Sequence, residues 1–220
     1  MRKVSGEAVE NRYVPKLAVL ISGRGSNLAA IADAIASGTL RATIAVVIAN
    51  RADAAGLDFA RARGIETRVL PHRDYASRDA YDAALADAIR AHGATLICLA
   101  GFMRRLGAGF CAVFPNAILN IHPSLLPAFP GEHAQAQALA HGVTLAGATV
   151  HFVTPELDAG PIVMQASVPV ADDDTVETLA ARILTEEHRI YPAAVRRILE
   201  EHWHLEGRRV VFTGPRPGLR

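Results

Sequence analysis

The sequence predicts an α/β fold: a mostly parallel sheet, doubly wound and Rossmann-like, with helices on both faces. Three features carry that expectation. Short, wholly apolar runs alternate with amphipathic ones through the first half of the chain. Strands buried on both faces read as such continuous runs, whereas helices show a 3.6-residue stripe. Glycines and prolines punctuate the alternation, and 220 residues, 50% of them hydrophobic, suffice for one sizeable core.

Taken in order, residues 17–21 (Leu-Ala-Val-Leu-Ile) form the first strand. A glycine-rich stretch, residues 22–26, leads into a helix over 27–37, with Leu28, Ile31, Ala32 and Ile35 on one face and Gly38 beyond its end. Residues 44–49 are the next strand, and 54–63 a helix stopped by Gly64. Residues 68–70 make a short strand ending at Pro71. The run 77–92 is a helix striped by Tyr81, Leu85, Ala88 and Ile89, and 96–100 a third apolar strand. Ala117, Ile118 and Leu119 lead as a buried strand into Asn120.

After Pro130 the rhythm changes. Residues 135–141 suit a short helix, and 148–153 with 162–168 an antiparallel strand pair joined by 154–161. A long C-terminal helix is expected from about Thr175 to His202, with Asp172, Asp173 and Asp174 at its positive end and Pro192 kinking or dividing it. The tail from Arg208 onward has little predictable structure. The expected organisation is an N-terminal extension (1–15), one domain (16–205) and a C-terminal tail (206–220).

A net charge of +1 gives no electrostatic footprint for nucleic acid, though a local basic pocket for a small anion remains open. The N-terminus has no apolar signal region, and no stretch approaches the length of a membrane span. A soluble cytoplasmic protein is expected. Cys98 sits in an apolar run, a disulfide with Cys111 is not expected, and two cysteines alone cannot build a structural zinc site.

Ligands on parallel sheets bind outside the carboxyl ends of the strands. Three polar loops fall there: 23–27, 101–106 and 120–122. The first joins a buried strand to a helix through Gly23, Arg24 and Gly25. Its glycines let a ligand approach the backbone, and the helix's free N–H groups favour an anion. Ser26 and Asn27 can add side-chain donors. The dinucleotide fingerprint fails, because its third glycine would fall at Leu28, and a P-loop lacks its Gly-Lys-Ser/Thr. A monophosphate cradle and a plain tight turn with a capped helix both remain.

Asn120 and His122, two residues apart on a strand, point to one side. A neutral donor beside a titratable ring suits a reaction that builds charge on a carbonyl oxygen and moves a proton. Asp158, just before a Gly-Pro turn, is either an Asx-turn residue or a carboxylate against His122, which would favour the charged imidazole and fix its ring. His122, His133, His151 and Asp158 lack the spacing of a helical zinc site, so no metal is expected.

With these residues in hand, the chain resembles the phosphoribosylglycinamide formyltransferase family, folate-dependent enzymes of purine biosynthesis. The resemblance runs from about Lys16 to about His202. It rests on residues 21–27, 99–104, 120–127, 151–154 and 157–161. It implies the formyltransferase fold and 10-formyltetrahydrofolate as cosubstrate. Gly25, Ser26 and Asn27 would bind the phosphate of phosphoribosylglycinamide, and Glu187 its ribose or amine. Arg78, Met103, Arg104, Arg105 and Leu106 would line the folate pocket, with Asn120 at its end and Thr154, Pro155, Glu156, Leu157 and Asp158 as the other wall. Asn120 and His122 would stabilise the oxyanion, with Asp158 orienting His122. His133 and His151 match family histidines standing behind the reacting atoms.

The chain departs from the family in having Arg24 where Asn is common. It also has Glu132 and Gln135 where Leu and His are frequent. The partners implied are small molecules, with no nucleic acid or membrane, and the protein is a monomer or homodimer. Three rivals share parts of the pattern: a 10-formyltetrahydrofolate deformylase, which typically adds an N-terminal domain; a methionyl-tRNA formyltransferase, which typically adds a C-terminal one; and a non-catalytic nucleotide-binding module.

Overall fold

The structure, a computed structural model, describes residues 14–216. Most of the expected N-terminal extension, residues 1–13, and residues 217–220 of the tail lie outside the described residues. The elements run β1 (Lys16–Ile21), α1 (Ser26–Ala36), β2 (Thr43–Ala49), α2 (Gly56–Ala62), β3 (Thr67–Val69), α3 (Arg78–Ala91), β4 (Leu96–Leu99), α4 (Ala108–Val113), β5 (Ile118–His122), α5 (Ala134–Ala140), β6 (Leu145–Phe152), β7 (Ile162–Pro169), α6 (Val176–Glu200), β8 (Glu201–Glu206) and β9 (Arg209–Pro215).

Among the described residues they form one nine-stranded sheet in the order β3-β2-β1-β4-β5-β6-β7-β9-β8. Strands β1 to β5 are parallel, and β6 then turns back antiparallel to β5. Each face of the sheet is covered. One core packs Leu17, Val19, Ile21, Leu119, Ile121 and Phe152 with α1 and α6; the other packs Ala18, Leu20, Ile97, Leu99 and Ile118 with α3 and α4. That double cover is why residues 17–21 carry five apolar side chains in a row, all fully buried.

Ser77 caps α3 by accepting the Ala80 N–H, and Thr175 and Thr178 form a reciprocal capping box on α6. The buried hydroxyl of Tyr191 on α6 reaches the carbonyls of Leu99 and Leu119, at 3.0 and 3.1 Å. It thereby ties the carboxyl end of β4, and β5 at the residue before Asn120, to the long helix.

Two expectations are corrected. Helix α6 runs unbroken through Pro192 and stops at Glu200 rather than His202. Residues 209–215, in the tail expected to have little predictable structure, form β9, which pairs with β8 as a hairpin and extends the sheet through a pairing of Ile162 with Arg209. Trp203, Leu205, Val210 and Phe212 pack against the α6-side core. Burying one face of the hairpin gives it the apolar contact that a two-stranded ribbon needs for stability.

Candidate active site

The first cleft forms where β1 turns into α1. Gly25 adopts a left-handed backbone (φ 75°), and a Cβ there would sit 2.9 Å from the Cα of Gly56. Gly56 donates its N–H to the Gly23 carbonyl at 3.0 Å, so the start of α2 braces the loop. No side chain caps α1. Its leading N–H groups therefore face an open cleft of about 420 Å³ with the positive end of the helix dipole behind them. Gly25, Ser26 and Asn27 line this cleft, joined by Arg24, Asn50, Arg51, His72 and Arg104. Its cationic rim suits an anion, although Asp53 offsets Arg51 at 2.6 Å.

The Asn27 side chain has a second tie: its amide Nδ2 donates to Glu187 Oε2 at 2.7 Å. Glu187 is buried on α6 and lines neither cleft. Burial pushes its carboxyl pKa up, and the Asn27 hydrogen bond partly opposes this. A buried carboxylate needs a donor, and Asn27 supplies it.

The second cleft, about 760 Å³, adjoins the first and shares Gly101, Met103 and Arg104 with it as lining. One wall carries Met103, Arg104, Arg105 and Leu106, and the other Thr154, Pro155, Glu156, Leu157 and Asp158. Asn120, His122, His133 and His151 complete the lining. Arg78 is the exception: it does not line the cleft. As the first residue of α3 its guanidinium lies beside Gly107, whose N–H is held by Asp82 at 2.7 Å, so it backs the 103–107 segment from behind.

At the floor, Asn120 pairs with His151 and His122 with Thr149 across β5 and β6. His122 Nε2 lies 2.9 Å from the Phe129 carbonyl, and Nδ1 3.5 Å from Asp158 Oδ2. Both neighbours only accept. A neutral imidazole has one N–H and serves one of them; the imidazolium serves both. Asp158 Oδ2 also accepts the Gly131 N–H at 2.8 Å, so the loop after β5 grips both members of the pair.

That loop is itself fixed. Thr149 Oγ1 donates to Ser124 O and accepts from Leu126 N, and Gln165 donates to Leu126 O. Ser124 Oγ is buried and donates to Ala128 O, which makes it a loop tie and leaves it far from a nucleophile's role.

His151 sets the orientation of Asn120. Its Nδ1 lies 2.9 Å from the Phe152 carbonyl and must carry the proton. Burial pushes its pKa below the ordinary 6.5, outweighing the Phe152 carbonyl and Asp158, so the ring is neutral and Nε2 is an acceptor. The Asn120 atom 3.2 Å away is therefore the amide nitrogen. One amide hydrogen goes to His151, and the other is left for the cleft.

This shift has a consequence for stability. With a depressed folded pKa, the unfolded chain binds the proton first as pH falls, so His151 contributes stability that is full above about 6.5 and lost progressively below it. Thermal melts of the parent and of His151→Gln from pH 8 to 5 are expected to show the parent losing more stability on acidification. Parallel curves would remove His151 from this account.

A helix-terminus cleft and an Asn/His/Asp cluster thus lie in adjoining clefts. Residues 15–195 match the family described as formyl transferase. The chain belongs to the formyl transferase family. Within it, the phosphoribosylglycinamide formyltransferase of Escherichia coli (strain K12) is 45% identical over 192 residues, covering 87% of this chain and 88% of that protein. The crystal structure of glycinamide ribonucleotide transformylase 1 from Symbiobacterium toebii superimposes with a TM-score of 0.90 at 53% identity, covering 95% of this chain and 99% of that one. The trifunctional purine biosynthetic protein adenosine-3 of Bos taurus is 48% identical over 180 residues, or 82% of this chain. The chain spans only 18% of the length of that relative.

Sequence reasoning missed Gly56, Asn50 and His72, which join the cradle from α2 and the loops after β2 and β3. Only the parallel order of β1, β2 and β3 brings them to one edge, and no local pattern announces it. No helix among the described residues is long and apolar enough to cross a membrane.

Proposed function

We propose that this chain transfers the formyl group of 10-formyltetrahydrofolate to the amine of 5'-phosphoribosylglycinamide, in the cytoplasm, as a step of de novo purine biosynthesis. One observation carries the reading: the helix-terminus cleft and the Asn120/His122/Asp158 cleft adjoin, with Gly101, Met103 and Arg104 lining both. A substrate held by its phosphate at residues 25–27 can thus extend its amine toward the polar floor. Glu187 lines neither cleft, so its part in holding the ribonucleotide runs through Asn27. The longer cleft, with Met103, Leu106 and Leu157 to pack on rings and Arg104 and Arg105 to meet carboxylates, suits an extended donor such as the folate.

The chemistry needs no protein nucleophile. The glycinamide nitrogen forms a bond to the formyl carbon, the bond from that carbon to the donor nitrogen breaks, and one proton passes from the first nitrogen to the second. Asn120 offers its free amide hydrogen to the developing oxyanion, and the His122 imidazolium adds charge beside it. Asp158 holds that charge in place and accepts the proton in transit through water.

Purified protein incubated with both substrates is expected to consume 10-formyltetrahydrofolate only when the ribonucleotide is present, followed by absorbance. Consumption without the ribonucleotide would replace this reading with a deformylase. For the cradle, Ser26→Glu sets a carboxylate against the substrate's phosphate and is expected to raise the ribonucleotide KM by about tenfold or more, as a like-charge contact of 1–2 kcal/mol would. An unchanged KM would move the phosphate elsewhere.

A further inference from the structure

The hairpin β8–β9 touches the loop that carries Asp158 at three points. Trp203 packs on Phe152, with ring centroids 5.0 Å apart, where β6 enters the loop. Arg209 pairs with Ile162, where the loop leaves into β7. Between them, Arg208 at the hairpin's turn donates from Nη2 to the carbonyl of Ala159 at 2.6 Å, one residue beyond Asp158. The loop itself is exposed over residues 155–157, with Leu157 49% accessible. Among the described residues its other ties are at its ends, Phe152 N–H to Pro161 O and Val153 N–H to Ile118 O at 2.9 Å, and at Asp158, which accepts from Gly131 and lies 3.5 and 3.7 Å from His122 and His151. Residues 154–157 have only a long 3.4 Å contact from Thr154 to Glu156.

Asp158 also holds a left-handed backbone (φ 49°), a conformation that Asp tolerates better than most side chains and that turns the chain sharply before Gly160. Arg208 is exposed and touches neither cleft, so the reacting atoms have no use for it directly.

We propose that the C-terminal hairpin clamps the Asp158 loop and that Arg208 is its positioning residue, holding the carboxylate at its working distance from His122. This rests on the reading that Asp158 acts through His122. A guanidinium on a backbone carbonyl is a strong single tie, because one partner is charged. Its loss frees the segment that forms one wall of the second cleft while leaving the cradle at residues 25–27 untouched. The effect therefore falls on the formyl donor and on turnover, and spares the ribonucleotide.

The test compares Arg208→Ala, Arg208→Lys and Asp158→Asn in steady-state assays with each substrate varied in turn, alongside thermal melts. Arg208→Ala is expected to lower kcat/KM for 10-formyltetrahydrofolate by about tenfold, the scale of a catalytic group displaced by less than an ångström. The ribonucleotide KM and the melting temperature stay at parent values. Arg208→Lys recovers most of the loss, since an ammonium also donates to a carbonyl. Parent-like kinetics in Arg208→Ala would overturn the proposal. So would a loss shared equally by both substrates with a lowered melting temperature, because that marks a merely structural residue. If Asp158→Asn is itself fully active, the reading of Asp158 has failed; if only Asp158→Asn is impaired, the hairpin's role alone is rejected.

Discussion

Asp158→Asn is expected to cut turnover by about 10² or more, a loss of about 2.7 kcal/mol in the transition state. The substitution keeps the shape of the side chain and can still accept the Gly131 N–H through its amide oxygen. What disappears is the negative charge 3.5 Å from His122 Nδ1. His122 then faces one carbonyl and one neutral amide, and the imidazolium loses the partner that made both its N–H groups useful. His122→Ala removes the charge outright and is expected to lose at least as much. Single-turnover rates with saturating substrates separate this from altered binding, and melting curves separate it from misfolding. Near-parent rates in either variant would strip that residue of its role.

Gly160→Ala should damage both stability and turnover, by a route not evident from the residue's distance to the site. A Cβ at position 160 would overlap the carbonyl oxygen of Phe152. That oxygen holds the Nδ1 proton of His151, and His151 fixes the Asn120 amide. The backbone must therefore shift, which costs about 3 kcal/mol at the upper end of the overpacking range. For a chain of this length that lowers the melting temperature by roughly 6–12 °C. The displaced carbonyl also frees the His151 tautomer, so the Asn120 amide no longer presents a defined hydrogen to the cleft. A scanning melt and a rate measured well below the transition check the two effects separately. An unchanged melting temperature would mean that the loop yields without strain.

Much of this was legible in the sequence because it was local. Residues 17–21 and 96–99 could be read as buried strands from their unbroken apolar character, and Asn120 and His122 as a pair from the two-residue period. Leu119 and Ile121 do pack in the α6-side core, which leaves the pair on the other face. Contacts that span the chain left no such trace. Asn27 meets Glu187 across 160 residues, and neither residue's neighbours predict the contact. The hairpin is a different case. Trp203 and Leu205 alternate inward before Gly207, and Val210 and Phe212 after it, so a period-2 signal was present. The nearby glycines and prolines obscured it.

The antiparallel seam between β5 and β6 sets Asn120 opposite His151 and His122 opposite Thr149. Strands present alternate residues to opposite faces, so a slip of one position would turn the slipped strand's polar groups into the apolar packing beneath α6. An imidazole buried there would have no partner. The reactive side chains thus act as proofreaders of strand alignment: a chain that closes the seam incorrectly is penalised in folding before it can fail in catalysis.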